Sequence, residues 1–96
     1  MAKLTTVYWC DIPAQVIAKE RRDTAKIVLS ERFAEAIDKA AMRAKMAGTD
    51  AYLEQWRREV VNCGRDLQAV VDEAAKILEH DFDDARLEQL ISNGGN

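Results

Sequence analysis

Thr5-Thr6-Val7-Tyr8-Trp9-Cys10-Asp11-Ile12-Pro13-Ala14-Gln15-Val16-Ile17 decides the fold of this chain, because side chains alternate in character on both sides of a proline-marked break. Before the break Thr5, Val7 and Trp9 fall on one face of a strand, and Leu4, Thr6, Tyr8 and Cys10 on the other. Proline cannot donate to a strand ladder and is tolerated at a strand's start, so Pro13 opens a second strand running Ala14-Gln15-Val16-Ile17-Ala18-Lys19. The polar run Lys19-Glu20-Arg21-Arg22-Asp23 reads as a turn, and Ala25-Lys26-Ile27-Val28-Leu29 as a third strand. Connections this short leave no room for a helical crossover, so the three strands form an antiparallel meander.

From Ser30 the period changes to that of a helix, with Phe33, Ile37, Ala40 and Ala44 on one side, Ser30 as the cap and Gly48 as the stop. A second helix is expected after Thr49 or Asp50, with Leu53, Trp56 and Val60 on its inward stripe and Tyr52 flanking it. Asp66 opens the strongest amphipathic segment, which carries Leu67, Val70, Val71, Ala74, Ile77 and Leu78 on one face. Asp81 or Asp83 caps a last short helix holding Leu87, Leu90 and Ile91. The expectation is an α+β domain over residues 1–92, a three-stranded antiparallel meander followed by three to four helices packed on one face. Residues 93–96 read as a disordered tail.

The chain has 96 residues, 48% hydrophobic and 32% charged, which is the composition of an ordinary folded domain with one core. No apolar run approaches the ~20 residues of a membrane-spanning helix, and no signal peptide is evident, so a cytoplasmic protein without a membrane partner is expected. The net charge of −3 hides an asymmetry, with nine basic and six acidic residues in 1–48 but five and eleven in 49–96. An acidic total argues against nucleic acid as the partner, because basic residues must neutralise several phosphates.

Few residues carry chemistry. Cys10 and Cys63 match no metal spacing and are expected as free thiols. His80, the single histidine, stands in Glu79-His80-Asp81-Phe82-Asp83-Asp84, but counting from Asp81 puts Arg86 and Ser92 where a calcium loop needs glycine and glutamate. Helix capping explains that acidic cluster better. No glycine-rich phosphate loop, nucleophile–base pair, cofactor motif or metal set stands out.

Aromatic residues and arginines dominate interface energies. Trp9 and Trp56 are expected in the core. Tyr8 lies on the opposite strand face, and a three-stranded sheet with one set of helices leaves one face for solvent or a partner. Arg21 and Arg22 at the hairpin tip, with Lys19 and Lys26 nearby, add a small basic patch. The partner surface is therefore expected at Tyr8, Arg21 and Arg22, with another protein as the partner and a homodimer also compatible.

Thr6-Val7-Tyr8-Trp9-Cys10-Asp11-Ile12-Pro13-Ala14-Gln15-Val16, Leu29-Ser30-Glu31-Arg32-Phe33, Gly48-Thr49-Asp50-Ala51-Tyr52 and Trp56-Arg57 together resemble the short bacterial virulence factor domain proteins. These are similar to a domain of conserved virulence factor C. The resemblance transfers no catalytic, metal or cofactor residue, and where this chain has Cys10 the family pattern favours an arginine. It implies a non-enzymatic accessory module. The alternative it implies is a small enzyme or cofactor handler in folate, corrinoid or iron–sulfur metabolism, for which Cys63 or His80 would be the reactive groups.

Overall fold

The computed structural model describes residues 2–96. The chain forms β1 (Lys3–Trp9), β2 (Ile12–Glu20), β3 (Asp23–Val28), α1 (Glu31–Arg43), α2 (Asp50–Glu54), β4 (Trp56–Asn62), α3 (Leu67–Asp81) and α4 (Asp84–Ser92). The α+β class holds, but the sheet has four antiparallel strands in the order β3-β2-β1-β4 rather than three.

The meander follows the sequence pattern. Each hairpin turns in two residues, and one non-glycine residue in each adopts the left-handed conformation, Cys10 at φ 52° and Arg21 at φ 53°. Pairing runs from Lys3 with Lys19 to Val7 with Gln15, then skips Ala14 so that Tyr8 faces Pro13. This bulge absorbs the proline, and the freed Ala14 carbonyl accepts from the Leu29 amide at 3.0 Å.

The fourth strand replaces most of the expected second helix. That helix survives as the single turn α2, and Leu53, Trp56 and Val60 of the supposed inward stripe are all exposed. Trp56-Arg57-Arg58-Glu59-Val60-Val61-Asn62 alternates as well as it fits a helix, and its β-branched Val60 and Val61 favour extended backbone. What decides is the free edge of β1, which β4 pairs along its whole length, from Lys3 with Asn62 to Trp9 with Trp56.

Other boundaries shift for local reasons. The first helix ends at Arg43, where Lys45 rather than Gly48 takes the first left-handed position, at φ 61°. Ser30 accepts from the Phe33 amide through its carbonyl at 3.0 Å, but its side chain does not cap the helix. Its amide and hydroxyl instead donate to the Glu79 carboxylate of α3, both at 2.8 Å. Asp66 and Asp83 cap α3 and α4 through the Ala69 and Arg86 amides, as expected for acidic N-caps.

The core lies between the sheet and its helices. Val16 and Ala18 of β2 meet Leu67, Val71 and Ala75 of α3, while Phe33, Ala36, Ile37, Ala40 and Ala41 form the buried stripe of α1. Trp9 and Ile12 are completely buried at the far end. Residues 93–96 do not form a loose tail there: Gly94 and Gly95 are buried, and the Gly95 carbonyl accepts from the Asp11 amide at 2.9 Å. The close approach requires glycine, since a Cβ on Gly95 would come within 2.7 Å of the Trp9 ring.

Candidate functional site

Directly paired residues of antiparallel strands point to the same side of a sheet, so the register assigns every strand residue to a face. Leu4, Thr6 and Tyr8 share a face with Val16, Ala18, Ala25 and Ile27, and Leu4, Val16, Ala18, Ala25 and Ile27 all pack into the core. This is the side that α3 covers. The side that α3 leaves open carries Thr5, Val7, Gln15, Ile17, Lys26, Val28, Arg58 and Val60, with Lys3 and Lys19 at one end and, at the other, Trp56 beside the fully buried Trp9 and Ile12.

The uncovered face carries its exposed apolar side chains on the two edge strands, Val28 on β3 and Trp56 and Val60 on β4, with Thr5, Val7, Gln15 and Ile17 between them. Val28 is 67% exposed, Val60 56% and Trp56 36%, and away from this face Met42, Leu53, Val61 and Ile77 are exposed to a comparable degree. Val7 is buried, yet it is not part of the hydrophobic core. It lines a shallow groove on this side with Gln15, Trp56 and Arg58. A second groove, lined by Ala14, Val28, Ile37, Tyr52 and Trp56, continues it towards α1. Trp56 is held edge-on to Tyr52, with ring centroids 6.1 Å apart, and Tyr52 in turn lies 5.6 Å from the Trp9 ring. The Trp9 indole N–H donates to the Tyr52 carbonyl at 2.9 Å, which anchors this aromatic row to the core.

The expectation for Tyr8 needs correction in its placement. Tyr8 lies on the helix side, half-buried, with the Arg57 guanidinium 4.4 Å above its ring. Arg57 is itself held by the Cys10 carbonyl at 2.8 Å, Asp11 at 3.2 Å and Glu59. Burial, reinforced by Glu59, pushes the Tyr8 hydroxyl above its ordinary pKa, against the opposing pull of Arg57. Its ring face is therefore already occupied within the molecule.

Arg21 and Arg22 lie at the other end of the sheet. Five residue steps along β1 separate Tyr8 from Lys3, which pairs beside that turn, a separation of about 17 Å. Tyr8, Arg21 and Arg22 consequently do not form one patch. Arg21 instead lines a cleft of about 530 Å³ with Ala2, Glu20, Asp23, Cys63 and Arg65. His80 is exposed in the last turn of α3 and does not line this cleft. Cys10 is buried, and burial, with Asp11 adding to it, pushes its thiol up despite Arg57, which disfavours the reactive thiolate. Among the described residues, no group of three or more His, Cys, Asp or Glu side chains is placed to hold a metal ion. No helix among them is long and apolar enough to cross a membrane.

The residues of the uncovered face that sequence reasoning missed are Val60 and Arg58, hidden by the helical reading of their segment. Their alternation, Trp56, Arg58 and Val60 against Arg57, Glu59 and Val61, was the signal.

A family model described as Virulence factor matches residues 7–91. No curated protein and no solved structure matches the chain.

Proposed function

This chain belongs to the virulence factor family, and on that premise we propose that it is a non-enzymatic protein-interaction module, an accessory protein of the bacterial cytoplasm that binds another protein through the uncovered face of its sheet. The observation that carries this reading is the exposure of Val28, Val60 and Trp56 on the sheet side that α3 leaves open, a side buried within the chain only around Val7 and at its Trp9–Ile12 end. A sheet with one packed face ordinarily presents polar residues on the other, and contiguous apolar exposure marks sites of association. Trp56 supplies the kind of aromatic anchor around which interface energy concentrates.

The competing expectation, a small enzyme or cofactor handler using Cys63 or His80, has less support. Cys63 shares its cleft with Arg21 and Arg65 but with no histidine, so a thiol–imidazole pair has no basis there.

The test is co-purification of the full chain from its source cell. A Val60→Asp, Trp56→Ala double variant alters only exposed positions, and its circular dichroism should match the unaltered protein. We expect its recovery of the bound protein to fall by at least about tenfold, in line with the loss of an interface anchor. Retention of every bound protein by a folded double variant would contradict the proposal.

A further inference from the structure

The uncovered face is electrostatically one-sided. Among strand residues, register places Lys3, Lys19, Lys26 and Arg58 on it and no acidic residue, while Asp38 of α1 lines the groove beside Val28 and Trp56. The acidic residues of the strands, Glu20, Asp23 and Glu59, all fall on the helix side. The ion pairs formed among the described residues use Arg32 and Arg57, and none uses these four cations. A molecule of net charge −3 thus gathers on one side of its sheet four positive charges that form no ion pair among the described residues.

We propose that this face binds an acidic amphipathic helix of a partner protein, with the helix's apolar side on Ile17, Val60 and Trp56 and its carboxylates meeting the four cations. This deepens the interaction-module reading and rests on it. The dimensions agree. Four strands at about 4.8 Å spacing give a face about 19 Å across, wide enough for one helix of about 10 to 12 Å diameter. The positions agree too. Lys3 and Lys19 pair side by side at one end, Lys26 lies on the edge strand β3, and Arg58 lies on the edge strand β4 between Trp56 and Val60, so the charges surround Ile17 and interleave with the apolar residues of β4. Nucleic acid fits less well. Sequence-independent strand binding needs aromatic rings for the bases to stack on, and among the described residues of this face Trp56, at one end, is the exposed aromatic. Charges of one sign on these strands would steer an acidic partner and exclude a basic one.

The test uses the full chain and a synthetic helix of roughly 18 residues, leucine on one side and glutamate along its flanks, long enough to hold helical structure. The same peptide with lysine for glutamate, and oligo(dT), serve as comparisons. Methyl NMR of Val7, Ile17 and Val60 and Trp56 fluorescence report where and how tightly each binds. The acidic peptide should shift these signals and the lysine peptide should not. Lys26→Glu with Arg58→Glu should weaken the acidic peptide by at least about fivefold, more at low salt than at high. Equal binding of the two peptides, no shift with either, or tighter binding of oligo(dT) at these methyls would overturn the proposal. If the acidic peptide fails while Val60→Asp, Trp56→Ala still loses the native partner, the partner's chemistry is wrong and the interaction module stands. If neither effect is seen, both fail.

Discussion

Gly95 shows how closely single residues determine the end of the sheet. It sits at φ 106° with a hypothetical Cβ 2.7 Å from Trp9 and 2.9 Å from Cys10, whereas Gly48, at φ 75°, has open space around it. Gly95→Ala should therefore cost about 2 to 3 kcal/mol, from overpacking added to a backbone penalty. Gly48→Ala should cost only the backbone share, about 1 kcal/mol. Urea unfolding of both variants measures the difference, and equal costs would mean that the C-terminal turn does not pack on Trp9. At this scale the sequence was partly legible. Trp9 was placed in the core by its alternation with Val7, and it is completely buried. Gly94-Gly95 was misread because a terminal Asn-Gly-Gly-Asn run looks the same whether it is loose or folded under an indole.

Among the elements, α1 and α3 are fastened by Glu79. Its carboxylate accepts from the amide and hydroxyl of Ser30 and from Arg32 at 3.0 Å, and Arg32 also donates to the carbonyls of Glu79 and Phe82 and stacks over Phe33 at 4.6 Å. Burial pushes the Glu79 carboxyl up, but the Ser30 and Arg32 bonds outweigh it and hold it below the usual carboxylate range. The folded chain thus binds this proton more weakly than the unfolded chain does. The stabilisation is present at neutral pH and is lost as pH falls through the carboxylate range, from about pH 5 downward. Glu79→Gln should lower Tm at pH 7, and the gap from the unaltered protein should close towards pH 3. A gap of constant size would show that the charge contributes nothing. The capping acids Asp66 and Asp83 were legible because their partners lie three residues away. Glu79 was not, because it lies 49 residues from Ser30. Trp56–Asn62 failed for the same reason: Leu53, Trp56 and Val60 happen to recur at helical spacing, and only the distant edge of β1 selects a strand.

For the whole molecule, the decisive property is the sorting of charge and hydrophobicity between the faces of the sheet. The acidic total and the bipolar halves were readable from composition, but the cationic face was not, because Lys3, Lys19, Lys26 and Arg58 come from four strands and meet only through register. A sheet with one set of helices implies one open face, but the two sides of β1 are used differently along its length: α3 covers the side of Leu4 and Thr6, while Trp9 on the other side is completely buried. β1 is largely apolar or aromatic on both sides, and nothing local says which side α3 will cover. The chain's own lysines offer the most direct test, since Lys3, Lys19 and Lys26 lie on the uncovered face while Lys39, Lys45 and Lys76 are exposed elsewhere. Lysine acetylation of the full chain, alone and in extract of its source cell, should show Lys3, Lys19 and Lys26 protected and the other three unchanged. Uniform labelling, or protection confined to Lys39, Lys45 and Lys76, would contradict the assignment of the uncovered sheet face as the partner surface.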